Sequence, residues 1–123
     1  MGGLATHLAN ILRWSGTIMT TASFDIGDAP PGPQPKSSRA DMLALFDELT
    51  REARKHLDKS DAEYMAMWSL KRGGQEMFSL PRAAALRSFV MNHIIHHRGQ
   101  LSVYLRLNSI PVPSIYGPSA DEG

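Results

Sequence analysis

Three of the five histidines of this chain lie in the stretch Asn92-His93-Ile94-Ile95-His96-His97-Arg98-Gly99-Gln100-Leu101. Apolar residues recur along this stretch and its flanks at three- and four-residue spacing, which predicts a helix over residues 81–108. Such a helix turns about 100° per residue, so His93 and His97 project from the same face, one turn apart. Two imidazoles placed in this way can bind one divalent metal ion.

A third ligand has to come from elsewhere in the chain, and His7 is the best candidate because it lies in the apolar stripe of an N-terminal helix. His96 offers an alternative pair with His93, but that pair would lie off the stripe, so we interpret His96 as lining the mouth of the site. His56 lies among charged residues, where nearby cations disfavour a metal ion, and is interpreted as a surface histidine. The sequence therefore predicts a metal site formed by His7, His93 and His97.

The composition limits the classes of protein that the chain can belong to. Its 123 residues suffice for one domain, residues 1–123, in which residues 110–123 form an extended C-terminal tail. The net charge is +1 and no basic stripe is present, so nucleic acid is not an expected partner. The sequence contains no apolar run of about 18 residues, so no membrane-spanning helix is predicted. The absence of cysteine fits a cytoplasmic location and excludes a cysteine nucleophile.

The spacing of apolar residues predicts an all-α fold, a helical bundle with one small β-hairpin. Two short alternating runs around Gly73-Gly74 predict the hairpin over residues 66–80. Proline and glycine exclude a helix from residues 20–37, which we interpret as a long connector. The three helices are predicted over residues 3–19, 38–58 and 81–108.

Several of these segments resemble the DinB-like family of damage-inducible proteins, the DinB/YfiT type. The resemblance is most specific in residues 92–101, in Tyr104-Leu105-Arg106 and in residues 113–122. It extends to residues 3–10 with Trp14, to Trp68-Ser69-Leu70 and to residues 77–83, and it thus spans nearly the whole chain.

The resemblance implies a four-helix bundle and a metal ion held by three histidines, which here correspond to His7, His93 and His97. It also implies a homodimer. The first helix of the family has no counterpart in this sequence, so we expect three helices of the bundle in this chain. Either a truncation or dimerisation would account for the missing helix, because three helices alone leave apolar surface open.

A three-histidine centre leaves coordination positions open for water or substrate, which is typical of a catalytic metal site. Zinc and nickel both suit imidazole ligands. Some members of the family act on low-molecular-weight thiols, so the resemblance implies a metal-dependent thiol transferase or hydrolase with a small-molecule substrate and an external thiol. The alternative is a non-catalytic metal-binding or oligomerising stress protein. Asn92 and Gln100 lie near enough to orient a ligand histidine, and spacing does not decide between them.

Overall fold

Helices form most of the computed structural model, which describes residues 1–29 and 31–122. A three-stranded sheet packs beside them. The helices are α1 Gly2–Asn10, α2 Arg13–Thr20, α3 Arg39–Leu57, α4 Asp61–Met65, α5 Arg82–Leu86 and α6 His93–Leu107. The strands are β1 Ser23–Asp25, β2 Met67–Arg72 and β3 Gln75–Pro81.

The helix predicted over residues 3–19 is present as two helices in one almost unbroken run. Ile11 and Leu12 separate α1 from α2, but both residues keep right-handed helical backbone angles. The helix predicted over residues 38–58 is confirmed as α3, and Ser38 caps it by accepting a hydrogen bond from the Asp41 N–H at 3.0 Å. This cap satisfies one of the backbone donors that every helix leaves free at its first turn.

The C-terminal helical run is longer than α6 itself. It begins with α5, continues through a π-helical segment, Arg87–Asn92, and ends with α6. The sequence predicts one helix over residues 81–108, and the π-helical segment in its middle is not foreseen. A π-helical turn widens the backbone and changes the rotational register of the residues that follow, and such turns are frequent at functional sites. Here the segment ends immediately before His93.

The prediction of an all-α fold is wrong, because the chain forms a mixed sheet in the order β1-β2-β3. The hairpin itself is confirmed: β2 pairs antiparallel with β3, and Gly73 and Gly74 adopt φ angles of 57° and 81° in the turn. Two successive positive φ angles match the turn that suits a right-twisted hairpin. The unexpected strand is β1, which lies inside the predicted connector and pairs in parallel with β2, Ser23 opposite Ser69.

The predicted helical bundle is also wrong. The first helix, α1, contacts α3 and α6, whereas α2 contacts α3 and α5. The additional helix α4 spans only Asp61–Met65 and is held by a capping box between Ser60 and Glu63. The described residues thus form no clear four-helix bundle, and the sheet occupies one side of the helical layer.

The larger hydrophobic core joins the sheet to the helices. Trp68 of β2 is completely buried, and its indole N–H donates to the Thr21 hydroxyl at 3.1 Å. Its ring lies 6.4 Å from that of Trp14 and 6.2 Å from that of Phe89, and Phe24 packs in turn against Trp14 at 5.2 Å, distances typical of packed aromatic pairs. The other buried members of this core are Ile11, Ile18, Met19, Leu70, Ala85, Leu86 and Val90.

A smaller core holds α1 against α3. Ala9, Leu45 and Leu49 are its buried members. At the start of α1, the buried Thr6 hydroxyl accepts a hydrogen bond from the Lys36 N–H at 2.9 Å and donates to the Gly2 carbonyl. The connector before α3 therefore fixes the first turns of α1, the helix that carries His7.

The predicted C-terminal tail contains no helix or strand over the part that the structure describes, residues 110–122. It folds back on itself, because the Asp121 carboxylate pairs with Arg106 at 2.6 Å and accepts from the Val112 N–H at 2.8 Å. Across residues 1–29 and 31–122, every helix is too short or too polar to span a lipid bilayer.

One carboxylate ties β1 to the hairpin turn. Asp25 accepts hydrogen bonds from the N–H groups of Gly27, Gly73 and Gly74 at 2.8, 3.0 and 2.6 Å. These bonds, with the one from Gly74 the strongest, lower the pKa of Asp25 below its ordinary value. A group with a lowered pKa in the folded state stabilises the fold above its ordinary pKa, and the contribution is lost as the pH falls.

We expect Asp25→Asn to lower the free energy of unfolding at neutral pH, because the amide –NH₂ would face the Gly74 N–H instead of accepting from it. The difference from the parent should shrink at about pH 3, below the ordinary pKa of an aspartate of about 3.9, because the unfolded parent then binds a proton that the folded parent binds only at lower pH. Urea unfolding at both pH values measures this difference, with the exposed neighbour Asp28→Asn as the control. An equal loss of stability at both pH values would contradict the role assigned to the carboxylate.

Candidate metal centre

Three imidazole rings from opposite ends of the chain converge on one point. His7 lies on α1, whereas His93 and His97 lie one turn apart on α6. The His7 Nε2 atom is 3.3 Å from the His93 Nε2 atom, which is 2.9 Å from the His97 Nε2 atom. Candidate ligand atoms of all three residues lie within 4.8 Å of one another, so the structure brings together the residues that the sequence predicts.

These distances fit a metal ion. Imidazole nitrogens bind zinc at about 2.0–2.1 Å, so two ligands of one ion lie about 2.9 Å apart at a right angle and about 3.4 Å apart in a tetrahedron. The observed separations of 2.9 and 3.3 Å fall between these limits. Neutral rings with three lone pairs facing one point repel one another, and a central cation removes this repulsion. The donor set therefore suits a divalent ion that accepts nitrogen ligands.

The packing of α1 against α6 creates this convergence. Neither helix alone could supply three ligands to one ion, because residues on one helix face repeat only every three or four positions. His93 is the first residue of α6 and follows the π-helical segment immediately. The backbone of that segment therefore sets the direction in which the His93 side chain projects relative to the buried side chain of Val90.

The centre is open to solvent on one side. His7 is exposed as a residue, and His93 and His97 are half-buried. No carboxylate belongs to the ligand group in the part of the chain that the structure describes. Three neutral imidazoles leave a divalent charge uncompensated, and an open side leaves room for water or substrate.

The outer ring nitrogens of the α6 pair have different partners. His97 Nδ1 lies 2.7 Å from the Gln100 amide oxygen, one turn further along the helix. For His93, the backbone of Phe89 lies close enough to raise the pKa of the ring, against larger effects that lower it. The sequence does not decide whether Asn92 or Gln100 orients a histidine of this pair, and the structure places Gln100 against the ring of His97. Its position three residues after His97 is the signal that sequence reasoning could have used.

The remaining histidines lie outside the centre. His96 is exposed and packs edge-on against His97 with ring centroids 5.0 Å apart. His56 packs over Gly16 between α2 and α3, where it lines a cavity of about 510 Å³. That cavity contains none of the three clustered histidines.

A smaller apolar cavity, about 170 Å³, lies between α1, α3 and α6. Leu8 and Leu101 contribute to its wall, the first next to His7 in the sequence and the second one turn after His97. The two helices that carry the ligand histidines thus also carry an apolar recess.

The positive charges that the three rings would carry oppose one another. Burial is the first cause that lowers the pKa of His7, and the charge of a protonated His97 is the second. Burial also lowers the pKa of His93, followed by the charges of His97 and His7, against the opposite effect of the Phe89 backbone. A metal ion binds histidine in its neutral form, and the lowered pKa values favour that form.

Comparisons with known proteins agree with the sequence resemblance. The sequence model of the DinB family matches residues 3–123. A curated relative, "Uncharacterized protein YrdA" of Bacillus subtilis (strain 168), is 43% identical over 49 residues. The match covers 40% of this chain and 27% of the relative, so the chain spans well under half of that protein. No solved structure matches the chain significantly.

The lowered pKa values predict how the metal-free protein responds to acid. Across the imidazole range the unfolded chain binds more protons than the folded chain, so the free energy of unfolding should fall as the pH decreases from about 7.5 to about 5.5. His93→Gln should weaken this dependence, because it removes one of the two imidazoles whose pKa is lowered in the folded protein. Urea unfolding in the presence of a chelator measures both slopes, and equal slopes would contradict the prediction.

Proposed function

The chain belongs to the DinB family, and we propose that it is a divalent-metal-dependent enzyme whose metal ion is held by His7, His93 and His97. The observation that carries this proposal is the convergence of three imidazoles, with the Nε2 atom of His93 lying 3.3 Å from that of His7 and 2.9 Å from that of His97. Zinc and nickel are the expected metals, because both accept imidazole nitrogen.

The reaction that fits this donor set best is the transfer of a thiol to an electrophile, or hydrolysis. A divalent ion in such a centre makes water or a thiol acidic near neutral pH. In a transfer reaction a carbon–sulfur bond forms, the bond to the leaving group breaks with its electron pair, and the thiol proton passes to solvent. The thiol must come from outside, because the chain has no cysteine.

The residues of this chain contribute binding and orientation to that chemistry. The three rings would hold the ion, and the exposure of His7 would leave room for a reactant beside it. The apolar recess next to Leu8 and Leu101 suits a small hydrophobic group of the substrate. A homodimer and a cytoplasmic location stay predictions of the sequence.

The second candidate function is non-catalytic, a metal-binding or oligomerising stress protein. No carboxylate that could act as a general base belongs to the ligand cluster among the described residues. Large apolar side chains are also exposed, including Leu43 and Phe46 of α3 and Val103 and Leu107 of α6, and exposed apolar surface favours association.

Metal titration tests the centre directly. The metal-free protein should bind one equivalent of zinc or nickel, measured by competition with a chromophoric chelator. His7→Ala, His93→Ala and His97→Ala should each weaken binding by more than the roughly 100-fold upper value seen when only an outer partner is lost.

The matched control for the metal titration is His96→Ala, which removes an exposed histidine of the same helix and should keep the affinity of the parent. Equal weakening by His96→Ala and His97→Ala would contradict the assigned ligand set. A parent protein that binds neither metal would refute the centre.

Turnover distinguishes the two candidate functions. The zinc- or nickel-loaded protein should conjugate a low-molecular-weight thiol with a small alkylating electrophile, or hydrolyse an activated ester, and His97→Ala should abolish the excess over the uncatalysed rate. Loss of free thiol and release of the leaving group are measured together. Stoichiometric metal binding without any rate above that of the free ion would favour the non-catalytic function.

A further inference from the structure

Gln100 contacts a ligand histidine on the side away from the centre. Its amide oxygen lies 2.7 Å from His97 Nδ1, while His97 Nε2 lies 2.9 Å from His93 Nε2. A neutral imidazole carries one proton, so a ring with a proton on Nδ1 offers a free lone pair at Nε2. A carbonyl oxygen can only accept a hydrogen bond, and its position against Nδ1 favours that form of the ring.

We propose that Gln100 is a positioning residue that holds His97 in the Nδ1-protonated tautomer, with its Nε2 lone pair directed at the metal ion. The inference rests on the proposed function, since it assigns a role around the same centre. The contact also limits the rotation of the His97 ring, because it ties Nδ1 to a side chain of the same helix. Outer partners of this kind orient metal ligands and raise their basicity.

The two α6 histidines differ in the kind of partner that they have. The ring of His93 is influenced by the backbone of Phe89, inside the π-helical segment, and substitution of a side chain leaves that backbone in place. The partner of His97 is a side chain and can be removed. Asn92, the other candidate, makes no side-chain hydrogen bond to His93 or His97 in the described part of the chain. The geometry therefore assigns the orienting role at His97 to Gln100.

A purely structural role for Gln100 does not fit its surroundings. The residue is exposed on α6, away from both hydrophobic cores. Replacement by alanine leaves no cavity and puts a better helix former at an exposed helical position. Gln100→Ala should therefore fold like the parent, so that a change at the centre reports the loss of the contact.

The experiment compares the parent with Gln100→Ala, Gln100→Glu and the control Gln75→Ala, which makes the same chemical change at an exposed site in β3. The nitrogen-15 spectrum of the metal-free protein, in mildly alkaline buffer, reports the tautomer of His97. Zinc alone is then titrated against a chromophoric chelator, and the thermal midpoint of each metal-free variant checks the fold.

In the parent, His97 should be protonated at Nδ1. In Gln100→Ala this tautomer should lose its dominance, and zinc affinity should fall roughly 10–100-fold. Gln100→Glu, which keeps an accepting oxygen, should restore the tautomer and bind zinc at least as tightly as the parent. Gln75→Ala should match the parent in both measurements.

Three results would overturn the inference. A parent His97 that carries its proton on Nε2 in the metal-free protein excludes the proposed tautomer, whatever the metal affinity. A Gln100→Ala variant that keeps both the tautomer and the affinity of the parent shows that the contact has no orienting effect and leaves the proposed function standing. A parent that binds no zinc refutes the proposed function, and the orienting role falls with it.

Discussion

The centre depends on the packing of α1 against α6, because the three ring nitrogens come from helices more than 80 residues apart in sequence. Their Nε2 atoms lie 2.9 and 3.3 Å apart, and rings at these separations must either share a proton or repel one another through their lone pairs. The surrounding structure therefore has to hold the two helices in place. On the α1 side this is done by the small core around Ala9 and by the hydrogen bond between Thr6 and Lys36.

The sheet supports the other side of this arrangement at a distance. Trp68 of β2 anchors the larger core, in which Leu86 and Val90 of the C-terminal helical run are buried. The π-helical segment begins within that core and ends at His93, so it connects the part of the molecule that is fixed by packing to the part that carries ligands. Asp25 in turn ties the first strand to the hairpin turn. A rigid scaffold with an exposed centre is the usual arrangement for a metal ion that meets a reactant.

The chemistry of the donor set limits what the centre can do. Three imidazoles without a carboxylate leave the charge of a divalent ion in place, which favours the ionisation of water or thiols. The absence of a carboxylate also means that the cluster, among the described residues, contains no general base beside the position that an ion would take. The catalytic and the non-catalytic function therefore involve the same centre. Only a measurement of turnover distinguishes them.

Helical periodicity in the sequence determined that His93 and His97 form a pair, since the two residues must share a helix face wherever the helix lies. It also determined the long helices and the Gly73-Gly74 hairpin, because these follow from local spacing and turn chemistry. The sequence could not determine β1, whose three residues pair in parallel with a strand more than 40 positions away and carry no local signal of that pairing. Nor could it determine the π-helical segment, which depends on backbone register. The spacing of Gln100 three residues after His97 indicated the contact between them, but it did not decide between Gln100 and Asn92. Only tertiary packing decided that His7 meets the pair, because distance between helices is not encoded in the periodicity of either one.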